Sequence, residues 1–131
     1  MELQQQPGVL GHPPSEQRIT QSLFLGEKFV DQYYKSFTKS VGKFYTPESR
    51  IIWNGNGFSG EQFVQLLPEL QRTFTSFDVT AFDAQPLGEK QTMVSVSGVV
   101  RMGEKAQFAQ NFVIKKNGTM TYIVSDCFRL V

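Results

Sequence analysis

The stretch that decides the fold runs from Gln91 to Val131 and reads QTMVSVSGVVRMGEKAQFAQNFVIKKNGTMTYIVSDCFRLV. Short breaks at Gly103 and at Asn117-Gly118 divide it into three runs, in which apolar side chains recur at every second position. A period of two residues is typical of a β-strand, because successive strand side chains point to opposite faces. The sequence therefore predicts three consecutive antiparallel strands joined by tight turns.

Each run has one face of large apolar side chains and one mixed face. The mixed face combines small, polar and aliphatic residues, whereas a solvent-facing sheet surface is usually rich in Lys and Glu. We therefore expect the mixed face to be covered. In the last run the predicted core face consists of Met120, Tyr122, Val124, Phe128 and Leu130, and the mixed face of Thr121, Ile123, Ser125, Cys127, Arg129 and Val131.

The composition is that of one soluble globular domain. The chain has 131 residues, of which 40% are hydrophobic and twelve are Phe, enough for a substantial core. Thirteen basic and twelve acidic residues give a net charge of +1, so the overall charge shows no footprint of nucleic-acid binding. A single cysteine, Cys127, excludes an internal disulfide. With no signal peptide and no long apolar span, a reducing intracellular compartment is expected.

Upstream of the sheet the pattern becomes helical. Residues 1–14 are rich in Gln, Gly and Pro and are predicted to form a disordered arm, leaving residues 15–131 as a single domain. A long helix is predicted from near Ser15 to about Lys39, with Gly26 as a point of weakness or bending. A short second helix is expected over residues 40–45.

A hairpin and a third helix follow. Asn54-Gly55-Asn56-Gly57 is a strong turn signal between a strand over residues 50–53 and a return strand at Phe58-Ser59. The third helix is predicted to begin near Ser59, and Pro68 is expected to end or kink it. From residue 74 to 85 the period returns to two. In this fourth long strand, we predict one shared face for Phe77, Val79, Ala81 and Asp83.

These elements predict an α+β fold. A strongly curved antiparallel sheet would pack against a long N-terminal helix and two shorter helices, forming a cone whose open end can hold a ligand. Such a fold can serve enzymes and binding proteins alike, so function must be argued from residues.

The sequence offers little for catalysis. The single histidine, His12, falls in the predicted arm, so a serine or cysteine nucleophile would lack a positioned base. Cys127 alternates with core residues and is interpreted as a packing residue. The carboxylates lack ligand-like spacing, and we expect no metal and no cofactor. They are Asp78, Asp83, Glu89, Glu104 and Asp126.

Two charges in the sheet need partners. Asp83 and Arg129 are both predicted on the mixed face, and a covered charge must be paired. One interpretation is that each faces a binding partner. The other is that they pair with each other at an exposed edge, which would contribute little to stability.

Five short motifs occur in order between residues 20 and 131. They are Phe29-Val30-Asp31-Gln32-Tyr33-Tyr34, Trp53-Asn54-Gly55-Asn56 with Ser59-Gly60, Asp83-Ala84-Gln85-Pro86, Gln110-Asn111-Phe112 and Ser125-Asp126-Cys127-Phe128-Arg129. Together they resemble the nuclear transport factor 2 family, and within it the branch of NTF2-related export proteins. Singly each motif is weak, whereas five in order are specific.

The resemblance implies an NTF2-like cone that dimerises through its sheet. The implied partner is the NTF2-like domain of the large messenger RNA export receptor, and nucleoporin Phe-Gly repeats would be reached indirectly through that heterodimer. No direct nucleic-acid or membrane contact is implied. The implied location is nucleus and cytoplasm, with shuttling through the nuclear pore. By position, Asp83 and Arg129 match interface residues, and Gln110 and Asn111 are weaker interface candidates.

Two alternatives remain open. One is a homodimer of the nuclear transport factor 2 type that imports Ran-GDP, but the expected acidic pair is replaced by Arg101-Met102-Gly103-Glu104-Lys105. The other is a small-molecule isomerase or dehydratase of the same fold, like ketosteroid isomerase or scytalone dehydratase. Such an enzyme needs acid or base groups in an empty cavity, and Asp126 is the main inward candidate.

Overall fold

The computed structural model of the protein describes residues 15–131. The predicted arm, with His12, lies outside the described residues. The elements are helix α1 (Glu16–Lys35), a 3-10 turn (Val41–Phe44), strands β1 (Tyr45–Trp53) and β2 (Asn56–Ser59), helix α2 (Gly60–Thr73), and strands β3 (Ser76–Leu87), β4 (Gln91–Met102), β5 (Glu104–Asn117) and β6 (Met120–Leu130). The predicted α+β class and the order of elements are confirmed.

Helix α1 begins as predicted and ends four residues early. The Ser15 side chain accepts a hydrogen bond from the backbone N–H of Arg18 at 3.1 Å, which caps the first turn. At the other end Ser36 leaves the helical conformation, and its hydroxyl donates to the carbonyl of Gln32 at 2.7 Å. The apolar stripe of the helix is buried against the sheet, through Phe29, Val30 and Tyr33.

Gly26 does not break α1. It is buried, and a Cβ added there would lie 2.4 Å from the Cβ of Ala84 on β3. A contact that short forces atoms apart, so the absence of a side chain lets the helix and the strand approach closely. The expected weak point is therefore a packing contact.

The first hairpin forms as predicted. Asn54 and Gly55 have φ of 49° and 86°, the positive values required by a two-residue hairpin turn, and Trp53 pairs with Asn56. The strand before the turn is longer than expected, because it begins at Tyr45 and continues through Pro47.

Helix α2 continues through Pro68 to Thr73, so the expectation that proline would end it was wrong. Ser59 and Gln62 form a reciprocal capping box at its start. Phe63 and Leu67 are buried and hold the helix on the sheet, while Pro68 faces solvent. Tertiary packing of the apolar stripe thus outweighs the local preference of proline.

The six strands form one sheet in the order β2-β1-β6-β5-β4-β3. Strands β3 to β6 form an antiparallel meander, but β1 runs parallel to β6. The sheet is therefore mixed, not wholly antiparallel as predicted. β1 and β6 are separated in the chain by five other elements, so no hairpin between them requires an antiparallel arrangement.

Two bulges change which side chains face the core. In β3 the register shifts between Val79 and Ala81, so Phe77 and Val79 pair with inward residues of β4 while Asp83 pairs with outward-facing Ser95. The prediction that Asp83 shares a face with Phe77 and Val79 was wrong, because one extra residue reverses the alternation.

The second bulge lies in β6 between Ile123 and Ser125. Ile123 is fully buried, although the sequence pattern placed it on the mixed face, and Tyr122 and Val124 are only half-buried. Beyond the bulge the predicted phase holds, with Phe128 fully buried.

Aromatic side chains fill the space between the helices and the concave face of the sheet. Trp53 stacks on Phe128 with ring centroids 3.9 Å apart, and Phe29 meets Phe112 edge to face at 4.9 Å. Along residues 15–131, no helix is both long and apolar enough to span a membrane.

Candidate partner-binding face of the sheet

The convex side of the sheet carries the mixed faces of its strands, and we call it the outer sheet face. Strand pairing places its central side chains in two rows, because residues paired across antiparallel strands point to the same side. Small side chains dominate both rows, which makes the surface flat. One row is Asp83, Ser95, Asn111, Cys127 and Ile52, and the next is Ala81, Ser97, Ala109 and Arg129.

Aliphatic side chains extend the surface around these rows. Met93, Val99 and Val113 are half-buried, and Ile52 is 49% exposed. In the described part of the chain no helix packs on this side, because α1 and α2 both bury their apolar stripes on the concave side. The outer sheet face is thus a flat surface of small, aliphatic and polar side chains that no element within residues 15–131 covers.

Asp83 and Arg129 lie on opposite sides of the flat rows. Two strands, β4 and β5, separate them, and neighbouring strands lie about 4.8 Å apart. Their side chains therefore cannot form an ion pair with each other. Within residues 15–131 the only ion pair joins Lys35 and Asp31, so neither charge is paired inside that part of the chain.

The backbone around Arg129 is held on both sides. The N–H of Leu130 donates to the side-chain oxygen of Asn54 at 2.8 Å, and the N–H of Asn54 donates to the carbonyl of Phe128 at 2.8 Å. Phe128 itself is fully buried. The position from which the Arg129 side chain leaves the sheet is therefore fixed by the hairpin between β1 and β2.

Asn111 pairs with Ser95, in the same row as Asp83, and its side chain is exposed. It therefore lies on the outer sheet face. Gln110 does not lie there. Its side chain is fully buried on the concave side, so the expectation that it contacts a partner was wrong. The alternation of β5 explains this, since Gln110 shares the phase of Phe108 and Phe112.

Cys127 is exposed on the outer sheet face, next to Asn111 and Ile52. Its place on the mixed face agrees with the alternation predicted for the last strand. Among residues 15–131, no three side chains of His, Cys, Asp and Glu lie close enough together to hold a metal ion.

The concave side contains a polar network of which the sequence predicted only the inward carboxyl of Asp126. The Tyr45 hydroxyl donates to Asp126 Oδ2 at 2.6 Å, and Gln110 Nε2 donates to Asp126 Oδ1 at 2.8 Å. The Tyr34 hydroxyl donates to Gln110 Oε1 at 2.7 Å, and the hydroxyls of Tyr33 and Tyr45 are 2.7 Å apart. Every polar side chain in this network therefore has a partner.

Burial raises the pKa of Asp126 to about 7, while the hydrogen bonds from Tyr45 and Gln110 act in the opposite direction. Burial, together with the nearby Asp126 carboxyl, also raises the pKa of Tyr33 and Tyr45. The carboxyl thus combines a perturbed pKa with a full set of hydrogen bonds.

A raised pKa is one mark of a catalytic acid, but a substrate must also reach it. Asp126 is 2% exposed, and the rings of Tyr33, Phe112 and Phe128 pack around the network. Within residues 15–131, the cavities on the two sides of α1 are not lined by Asp126. The arrangement is that of a buried structural network.

Comparison with known proteins agrees with this geometry. The family model described as the nuclear transport factor 2 (NTF2) domain matches residues 25–130. The chain belongs to the nuclear transport factor 2 family. The matched residues include α2, all six strands and all of α1 except its first turns.

Several curated relatives are NTF2-related export proteins. NTF2-related export protein 2 of Homo sapiens is 32% identical over 130 residues, covering 85% of this chain and 88% of the relative. The NTF2-related export protein of Caenorhabditis elegans is 30% identical over 121 residues, covering 80% of this chain and 85% of the relative. These names support the NTF2-related export proteins as the branch to which the chain is similar.

Solved structures share the fold. Nuclear transport factor 2 from Cryptosporidium parvum superposes with a TM-score of 0.76 at 30% identity, covering 85% of this chain and 95% of that one. A putative scytalone dehydratase from Novosphingobium aromaticivorans reaches a TM-score of 0.68 at 11% identity, with 86% and 89% of the two chains covered. The second likeness shows the fold alone.

Proposed function

We propose that this chain is a non-enzymatic nuclear export cofactor that forms a heterodimer through its outer sheet face. The proposed partner is the NTF2-like domain of the large messenger RNA export receptor. One observation carries the proposal: a flat sheet face of small and aliphatic side chains presents Asp83 and Arg129, which have no ion-pair partner within residues 15–131, in a chain whose relatives are named as export proteins. In this role the chain stabilises the receptor's domain for binding nucleoporins.

Burial of the aliphatic and small side chains drives association. Apolar surface contributes about 25 cal/mol per Å² removed from water, less the cost of ordering and desolvation. The small residues Ala109, Ser95 and Ser97 let a second sheet approach closely. A flat face of this kind suits another sheet better than a helix or a loop.

Asp83 and Arg129 select the partner. A partner sheet with opposite charges at the matching positions satisfies both, whereas a mismatched partner leaves a desolvated charge unpaired at a cost of about 2–5 kcal/mol. Asn111 lies between them and can donate or accept a hydrogen bond. The pattern favours one orientation of the partner, because the two charges have opposite signs.

In this proposal, contacts with messenger RNA and with the nuclear pore are made through the heterodimer. Phe-Gly repeats of nucleoporins are proposed to dock on the receptor's domain, with this chain acting indirectly. The proposed location is the nucleus and the cytoplasm, with shuttling through nuclear pores.

The import of Ran-GDP is the alternative within the family, supported by the similarity to nuclear transport factor 2 of Cryptosporidium parvum. The turn between β4 and β5 argues against it. The acidic pair expected there is reduced to Glu104, with Arg101 and Lys105 paired across the turn beside it. An enzyme is disfavoured because the Asp126 carboxyl is buried and fully hydrogen-bonded.

Co-purification tests the proposal. Tagged wild-type protein and the Arg129→Asp variant are incubated with nuclear extract, and bound proteins are identified by mass spectrometry. Arg72→Asp, an exposed arginine of α2 outside the outer sheet face, is the control with the same charge change.

We expect the large export receptor with the wild type and the control, and little of it with Arg129→Asp. Recovery of Ran with the wild type would instead favour the import factor. Equal recovery of the receptor by all three proteins would contradict the proposed interface.

A further inference from the structure

A cavity of about 580 Å³ opens between the first half of α1 and the turns at one end of the sheet. Ligand pockets in proteins span about 300–1,000 Å³, so the cavity has the size for a small molecule. We call it the basic cavity, because Arg18, Lys28, Lys90 and Lys116 line it and none of the lining residues within 15–131 is acidic. It is separate from the outer sheet face, since none of the residues in the two central rows lines it.

The basic cavity concentrates positive charge in a chain that is almost neutral overall. The whole chain carries a net charge of only +1. The acidic residues Glu27 and Asp31 of α1 face the other cavity beside the helix. Within residues 15–131 none of the four cations is paired with a carboxylate. Four cations around one concave site raise the local concentration of anions.

Arg18 is held in place without being neutralised. Its guanidinium donates to the carbonyl oxygens of Gly88 at 3.0 Å and Gln91 at 3.3 Å, and to the hydroxyl of Ser22 at 3.3 Å. Neutral acceptors orient the side chain but leave its full positive charge for a ligand. Arg18 is therefore pre-positioned to bind an anion, since planar guanidinium groups favour phosphate and carboxylate.

The cavity also offers an exposed aromatic ring. Phe24 is 63% exposed, and the ammonium of Lys28 lies 5.5 Å from the centroid of its ring. An exposed ring beside a cation can stack a flat group whose phosphate the cation holds. The hydroxyls of Thr119 and Thr121 add hydrogen-bonding groups to the lining.

We infer that the basic cavity binds a nucleotide, with the phosphate between Arg18, Lys28 and Lys116 and the base against Phe24. The ligand is either a free nucleotide or one nucleotide of a single strand, because both present the same phosphate and base. A long duplex does not fit the observations. It would require a basic stripe, and the net charge of +1 does not supply one.

Calorimetric titration of the full chain tests this inference. The probes are ADP, a single-stranded RNA of ten adenylates, inorganic phosphate and a hexaglutamate peptide, each at low and at moderate salt. The cavity variant is Lys28→Gln with Lys116→Gln. The matched control is Lys39→Gln with Lys105→Gln, which loses the same charge at exposed positions outside the cavity.

We expect the wild type and the control to bind ADP or the RNA, and the cavity variant to bind them about tenfold or more weakly, with binding weakened by salt. Phe24→Ala should weaken binding of ADP at least about fivefold and leave inorganic phosphate unaffected, because only the base stacks. Tighter binding of ADP would identify a free nucleotide as the source, and tighter binding of the RNA a strand.

Four outcomes would overturn the inference: no binding of either nucleotide probe, equal weakening in the control variant, hexaglutamate binding as tightly as ADP, or inorganic phosphate binding as tightly as ADP. The third would assign the cavity to an acidic peptide. Thermal unfolding of each variant separates lost binding from lost folding. The inference is independent of the proposed heterodimer.

Discussion

Asp126 shows how one buried carboxyl is tolerated in an aromatic core. Its two oxygens accept hydrogen bonds from Tyr45 and Gln110, yet burial still raises its pKa to about 7. The folded protein therefore holds this proton at pH values where the unfolded chain, with an ordinary carboxyl, has lost it. Stability from this group is fully present below about pH 4 and is lost as the pH rises to about 7.

Raising the pH from 5 to 8 should therefore lower the free energy of unfolding by about 2–3 kcal/mol, because the folded protein loses the Asp126 proton over this range. Asp126→Asn keeps the shape and cannot ionise, so its free energy of unfolding should change less over the same range. Urea unfolding at the two pH values measures both proteins. Identical pH dependence in the wild type and the variant would show that the carboxyl does not titrate in this range.

The sequence contained part of this network. Asp126 was identifiable as the main inward carboxylate, and Gln110 shares the phase of Phe108 and Phe112, so alternation alone marks it as buried. The resemblance to a known family instead suggested an interface role for Gln110. The three tyrosines could not be assigned, because their meeting depends on how α1 and β1 approach each other in space.

At the scale of elements, helix α1 depends on a close contact with β3 at Gly26. Gly26→Ala should raise helix propensity by about 1 kcal/mol but cause a clash with Ala84, so we expect a net destabilisation of about 1–3 kcal/mol. Thermal or urea unfolding measures the change. Ala84→Gly in the same chain should restore much of the loss, because it removes the clashing Cβ. Failure of the second change to rescue the first would contradict the packing explanation.

In helix α2, replacement of Pro68 should stabilise the protein, in contrast to the destabilising change at Gly26. The proline is exposed, lacks an N–H and lies in the helix interior, so its replacement has no packing cost. Pro68→Ala should stabilise the protein by about 1–3 kcal/mol and raise its melting temperature. Glu69→Ala, at the neighbouring exposed position, is the control and should change stability little. A lower melting temperature for Pro68→Ala would mean that the proline has a role of its own.

The two bulges explain most of the errors in strand orientation. The alternating pattern located β3 and β6, but one extra residue in each strand shifted the alternation, so the residues after Thr80 in β3 and those before Val124 in β6 were assigned to the wrong face. Gly98 lies opposite the first bulge, where an added Cβ would collide with the carbonyl oxygen of Asp78. That steric relation is visible only once the strands are paired, so the sequence could not place the bulge.

At the scale of the whole molecule, the central feature is a sheet face that residues 15–131 leave uncovered. The helices occupy the concave side, and the convex side presents small and aliphatic side chains, with Asp83 and Arg129 at opposite sides of its two central rows. The mixed face was predictable from composition along β4 to β6. The distance between Asp83 and Arg129 was not, because it depends on the strand order.

Partner binding should stabilise the chain, because a ligand that binds only the folded state adds to the free energy of unfolding. At a concentration of partner domain one hundred times the dissociation constant, the added stability is about 2.7 kcal/mol. The melting temperature of this chain should therefore rise when the receptor's NTF2-like domain is added. An unchanged melting temperature at saturating partner would contradict binding to the folded state.

The most direct test of the central claim is isothermal titration of this chain with the NTF2-like domain of the large messenger RNA export receptor. Wild type, Arg129→Asp and the control Arg72→Asp are titrated under the same conditions. The account predicts a one-to-one complex for the wild type and the control, and a dissociation constant about thirtyfold or more weaker for Arg129→Asp. No binding by the wild type, or equal affinity for all three proteins, would contradict it.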